Sequence, residues 1–171
     1  MATSTLLHAG PAVGFDQPLE MLLACHERVR RSLDLLLRLQ AHVAVQGADE
    51  PARDAARDVL RYFDIAGPKH HEDEERHVLP QLRAAGRGQL ADRLAAEHAE
   101  MGRQWAALRP ALEALRDGCD EGLDAPACQA YAALYAGHMA AEEGEAFPTA
   151  ARQLDAAMLA AMGAEMAARR R

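Results

Sequence analysis

Two stretches of the chain carry the same side chains in the same order. His70-His71-Glu72-Asp73-Glu74-Glu75 is followed by Pro80, and His138-Met139-Ala140-Ala141-Glu142-Glu143 by Pro148, so both read H-x3-E-E-x4-P at a constant offset. Residues four apart on a helix stack on one face, so each motif offers one imidazole and one carboxylate to a common centre. That donor pair suits zinc or iron better than magnesium or calcium, which favour all-oxygen shells. One such pair alone is ordinarily a surface ion pair worth little. A repeated pair, with further histidines at matching heights, points to a metal.

The elements that must position these groups are helices. The chain has 171 residues, 50% of them apolar and only 4% aromatic, with Ala and Leu dominant. Ala, Leu, Glu and Arg favour helix, while the β-branched and aromatic residues that suit strands are scarce. An all-β fold is excluded, and the length leaves no room for separate cofactor and substrate domains. Residues 1–18 contain Gly10, Pro11, Gly14 and Pro18 and read as an irregular lead-in. Helical periodicity then predicts four long helices at about 19–46, 51–85, 89–116 and 124–153, punctuated by Gly47, Gly86 and Gly88, and Gly118 and Gly122. Gly67 and Pro68 are expected to kink the second, because proline lacks an N–H and crowds the preceding turn. Residues 154–171 predict a short helix capped by Asp155, with Arg169, Arg170 and Arg171 as a solvated tail. The expected architecture is all-α, an up-down-up-down four-helix bundle over 19–153.

Level matching ties the motifs together. In an antiparallel hairpin, residues equidistant from the loop lie at one height. The midpoint of His26 and His70 falls in the Gly47–Asp49 loop, that of Glu74 and His98 at Gly86, and that of His98 and His138 at Gly118. His26, His70, Glu74, His98, His138 and Glu142 therefore share one slice of the bundle. Buried polar groups without partners cost roughly several kcal/mol each, and a metal centre offsets that cost. Six donors exceed what one tetrahedral zinc needs, whereas two metals sharing the two carboxylates fit the count.

Charge narrows the partners. A net charge of −7 argues against a phosphate-binding surface, so no nucleic acid is expected. The longest uncharged stretch, 125–141, carries His, Gln and two Tyr and falls short of a membrane span. No secretory signal opens the chain. Cys25, Cys119 and Cys128 form an odd set without a CxxC pair, which suits a reducing cytoplasm.

Other residues near the slice read differently. His71 is rotated about 100° from His70 and is expected beside the site, partly exposed. His77 and Glu145 read as outer partners of the ligands or as structural groups. Tyr131 and Tyr135 read as core with a satisfied hydroxyl, a metal-ligand or redox role being the lesser alternative, and Met101 and Trp105 as core that could also wall the site. Gly102, one turn after His98, leaves room for a small ligand or for close packing. Cys25 is expected to pack on another face, and His8 and His42 have no role.

The set Cys25-His26-Glu27, His70-His71-x-x-Glu74-Glu75, Glu97-His98 and His138-x-x-x-Glu142-Glu143 with Phe147-Pro148 resembles the hemerythrin family, specifically the bacterial hemerythrin-like HHE cation-binding domains. The resemblance implies a non-haem di-iron centre, oxo- or hydroxo-bridged, with His26 and His70 on one iron, His98 and His138 on the other, and Glu74 and Glu142 bridging. It departs from the O2-carrying members at Leu94, where they have a second histidine, and at Glu142, where they have Asp one residue later. Fewer histidines imply an extra open position for water, peroxide or NO. The implied function is binding of O2 or a related small ligand for sensing, storage or protection. The alternatives are a redox enzyme acting on peroxide or NO, and an iron-handling or centre-repair protein.

Overall fold

A computed structural model describes residues 13–119 and 122–171. The first helix, α1 (Pro18–Gln46), buries Met21, Leu22, Cys25, His26, Val29, Leu33, Leu36, Leu39 and Val43 along one stripe, and Gly47 ends it at a φ of 74°. Asp49 then caps α2 (Glu50–Arg61), its carboxylate accepting from the Ala52 N–H, and His42 donates from Nε2 to the same carboxylate at 2.9 Å. The disruption expected at Gly67–Pro68 takes the form of a π-helical turn, Tyr62–Ala66, ahead of α3 (Gly67–His77). Pro68 has no N–H to give, and the Gly67 N–H instead reaches five residues back to the Tyr62 carbonyl.

After Val78, α4 (Leu79–Ala84) carries Pro80 in its first turn, where the missing N–H is harmless. Then come α5 (Gly88–Arg116), α6 (Ala125–Ala141), a second π turn (Glu142–Ala146), α7 (Phe147–Ala151) and α8 (Ala156–Ala168). The second π turn also stands two residues ahead of a proline, Pro148, and the continuous fourth helix expected from the sequence is interrupted there. Asp155 caps α8 through the Met158 N–H. Of the expected lead-in, residues 1–12, His8 among them, lie outside the described residues.

The chain is an all-helical bundle in which α1 packs on α2, α2 on α5, α5 on α6 and α6 back on α1. The core is in two parts. One includes Val29 to Val43 of α1, Ala52 to Phe63, Met101 to Leu115 and Cys128 to Met139. The other includes Met21, Leu22, Val78 to Leu82, Ala91, Leu94, Ala146 to Ala150, Met162 and Met166. On every long helix the switch from one part to the other falls at a candidate ligand: His26, His70 and Glu74, His98, and His138 and Glu142. A polar layer thus divides two apolar blocks.

Of the three tail arginines expected to be solvated, Arg171 is exposed but Arg169 and Arg170 are not. Arg169 and Arg170 fold onto Asp73, whose side chain is fully buried, and retain only 17% and 22% side-chain exposure. A buried carboxylate must be paired, and α8 brings the two guanidinium groups that pair it. Gly163 lets this helix approach the chain closely, since a Cβ there would collide with the Phe15 carbonyl oxygen. Among the described residues no helix is long and apolar enough to cross a membrane.

Candidate metal centre

The structure brings all six sequence-predicted residues together. His26, His70, Glu74 and Glu142 form one group and Glu74, His98, His138 and Glu142 a second, the donor atoms of each lying within 4.8 Å of one another. All six residues are buried, none more than 6% exposed.

The carboxylates split their oxygens. Glu74 Oε1 lies 2.8 Å from His70 Nε2 and 3.7 Å from His26 Nε2, while its Oε2 lies 3.2 Å from His98 Nε2. Glu142 Oε2 lies 3.1 Å from His26 Nε2 and its Oε1 3.1 Å from His138 Nε2. Each carboxylate therefore faces both groups, one oxygen apiece.

Tautomers follow from what stands behind the rings. Nδ1 of His26 donates to Glu143 at 2.7 Å, that of His98 to Glu75 at 3.0 Å, and that of His138 to Glu97 at 2.7 Å. Arg30 and Arg93 in turn hold Glu143 and Glu97, and these contacts offset burial and keep both carboxyls below their ordinary range. A neutral imidazole whose Nδ1 carries the proton presents a lone pair at Nε2. The Nε2 atoms of His98 and His138 lie 3.0 Å apart, so two lone pairs meet unless a cation or an added proton stands between them.

Both carboxylate oxygens of Glu74 and of Glu142, and Nε2 of His26, are buried without a hydrogen-bond partner of good geometry. Five orphaned acceptor-type atoms converging in one layer, drawn from a mixed imidazole and carboxylate set, fit a divalent transition metal.

Without metal, protons do part of this work. Burial is the largest influence on His26 and disfavours its charge, but Glu142 and Glu74 outweigh it and raise the ring to about 9. The same contest, won by Glu74 and the Cys25 contact, raises His70 well above its ordinary value, and in His138 it is won by Glu142 and Glu74. Glu74 is held well below the usual range, burial being overcome by His70, His26 and His98.

Sequence reasoning missed the backing groups. Glu75, Glu97 and Glu143 each sit one residue from a predicted ligand, and that adjacency was the available signal. His77 and Glu145 do not serve the site: His77 pairs with Glu165 of α8 and Glu145 with Arg87. His70 lacks a carboxylate behind it, and the Cys25 thiol is the polar group set against it, so Cys25 does more than pack. His71 is partly exposed, stacks on His98 at 4.2 Å and is held well below its ordinary pKa by burial and by His98. A cavity of about 340 Å³ opens beside His98 and His71, walled by Met101, Trp105, Tyr131 and Tyr135, with Gly102 at its edge.

A buried histidine-rich layer across a helical bundle defines a class of cation-binding protein. Residues 17–150 match the hemerythrin HHE cation binding domain, and the chain belongs to that family. It is also similar to an uncharacterized protein of Haemophilus influenzae, 33% identical over 158 residues that cover 91% of each chain.

Proposed function

We propose that this chain is an up-down-up-down four-helix hemerythrin-like protein holding two non-haem irons. His26 and His70 would hold one, His98 and His138 the other, and Glu74 and Glu142 would bridge them. The observation that carries this reading is the split of each carboxylate, one oxygen toward each histidine pair. A single ion cannot use both ends of both carboxylates together with four imidazoles at opposite sides of the layer.

The irons would supply the electrons, and the chain would supply a dry, shaped site. Phe147 stacks on His26 at 5.4 Å and covers that ring. The cavity at His98 leaves the other side open to O2 or a related small ligand, for sensing, storage or protection. Cys25, Cys119 and Cys128 are unpaired thiols, in keeping with a reducing cytoplasm. A second reading, turnover of peroxide or NO, is favoured by His71, a polar ring that stacks on His98 and lines the open cavity.

Protein from iron-replete cells is expected to hold two irons per chain and to develop di-iron absorption in air, with both irons lost in Glu74→Ala. One metal per chain, or zinc alone, would overturn the reading. Peroxide or NO consumption lost in His98→Ala and kept in His42→Ala would select the enzyme over the binding protein.

A further inference from the structure

The chain holds three Phe, three Tyr and one Trp. Five of them (Tyr62, Phe63, Trp105, Tyr131 and Tyr135) pack together in or against one of the two apolar blocks. The opposite block holds Phe147 and Phe15, and no Tyr or Trp among the described residues.

The rings form an unbroken path. His98 stacks on His71 at 4.2 Å and 15°, and His71 on Tyr135 at 5.7 Å and 26°. Tyr135 meets Tyr131 edge-on at 5.1 Å, and Tyr131 stacks on Trp105 at 6.0 Å and 25°. Both tyrosines are buried, and the Tyr131 hydroxyl donates to the Tyr135 oxygen. Trp105 is half-buried and ends the path near the surface, its Nε1–H donating to Asp64 at 2.9 Å. Arg109 grips both oxygens of Asp64, at 3.0 and 3.1 Å, so the carboxylate is ionised and able to accept a proton.

We propose that His71, Tyr135, Tyr131 and Trp105 form a relay that drains a one-electron oxidising equivalent from the His98 side of the centre to Trp105. The proposal rests on the di-iron reading. Peroxide becomes two waters when its O–O bond breaks with uptake of two electrons and two solvent protons. Where the metals have one electron left to give, the second leaves Trp105 along the touching rings. The indole N–H proton passes to Asp64, which releases it to solvent, and a neutral indolyl radical remains for an external one-electron reductant such as ascorbate. Phe147, stacked on His26, extends no such path from that ring, because phenylalanine is too hard to oxidise.

Iron-loaded protein treated with hydrogen peroxide, freeze-quenched for radical spectroscopy and then digested for mass spectrometry, tests this. The expected result is a tryptophan radical, oxygenation at Trp105, and loss of both on adding ascorbate before quenching. In Tyr135→Phe, which keeps the ring but removes the oxidisable phenol, Trp105 oxygenation should fall to the level of the metal-free protein while iron content stays unchanged. Trp105→Phe should move the radical to tyrosine. Equal Trp105 oxidation in Tyr135→Phe or in metal-free protein, or damage centred on Met101, would overturn the relay while two bound irons still upheld the centre. Failure to bind iron would overturn both.

Discussion

The two halves of the polar layer use the same donors in different surroundings. Around His98 and His138, both rings are backed by carboxylates, Glu75 and Glu97, and a cavity reaches His98 between Trp105, His71 and Gly102. Around His26 and His70, one ring is backed by Glu143 and covered by Phe147, and the other rests against a thiol. A carboxylate behind an imidazole fixes its tautomer and strengthens it as a donor, whereas a thiol does so weakly. A symmetrical ligand set thus forms an asymmetric site, with a well-backed half beside the larger cavity and a weakly backed half partly covered by Phe147. The cavity beside His98, about 340 Å³, is larger than the one of about 260 Å³ beside His70 and Cys25, so two similar positions differ in access.

The largest expected effect arises from the two carboxylates that both halves share. In metal-free protein the His26 ring is raised from 6.5 to about 9 by Glu142 and Glu74. The stabilisation from that protonation is fully present below the unfolded value of 6.5 and is lost as pH rises through about 9. Its loss is on the order of 3 kcal/mol. Metal binding requires the imidazoles neutral, so it displaces these protons and strengthens as pH rises. The gap in Tm between metal-free and metal-loaded protein should therefore widen from pH 6.5 to 9. A constant gap would mean that the imidazoles are not protonated in the apo state.

A smaller effect should separate the halves. Glu97→Ala strips the acceptor from His138 and is expected to weaken metal binding roughly 10–100-fold. Cys25→Ala, on the weakly backed side, should weaken it less. Competition with a chelator measures both, and equal losses would erase the contrast drawn above.

The smallest effect concerns the open side. Nothing lies within 4 Å of where a Cβ would sit at Gly102. Gly102→Ala should stabilise the helix by about 0.5–1 kcal/mol, read as a rise in Tm. Gly102→Leu should keep that fold and metal content but slow binding of azide, a small anionic probe. Unchanged azide kinetics would place the approach elsewhere.

Much of the site was legible because helical geometry is regular. Spacing of four within His70–Glu74 and His138–Glu142, and equal distances from the loops, suffice to predict a shared layer when each break is marked by Gly or Pro. Both π turns escaped that reasoning. Each depends on how the chain accommodates a proline inside a long helix, and periodicity alone does not show whether it kinks or takes in a wider turn. The pairing of Asp73 with Arg169 and Arg170 escaped it too, because α8 meets α3 only after the chain has folded back.

Helix content, the order of the breaks and the six donors with their heights were determined by residue type and spacing, which act locally and repeat with the helical period. Which carboxylate stands behind which imidazole, which side of the layer is open, and where the terminal arginines rest were decided only by tertiary packing. Those contacts join residues far apart in the chain, and their geometry depends on rotation of the helices about their own axes, which no linear pattern records.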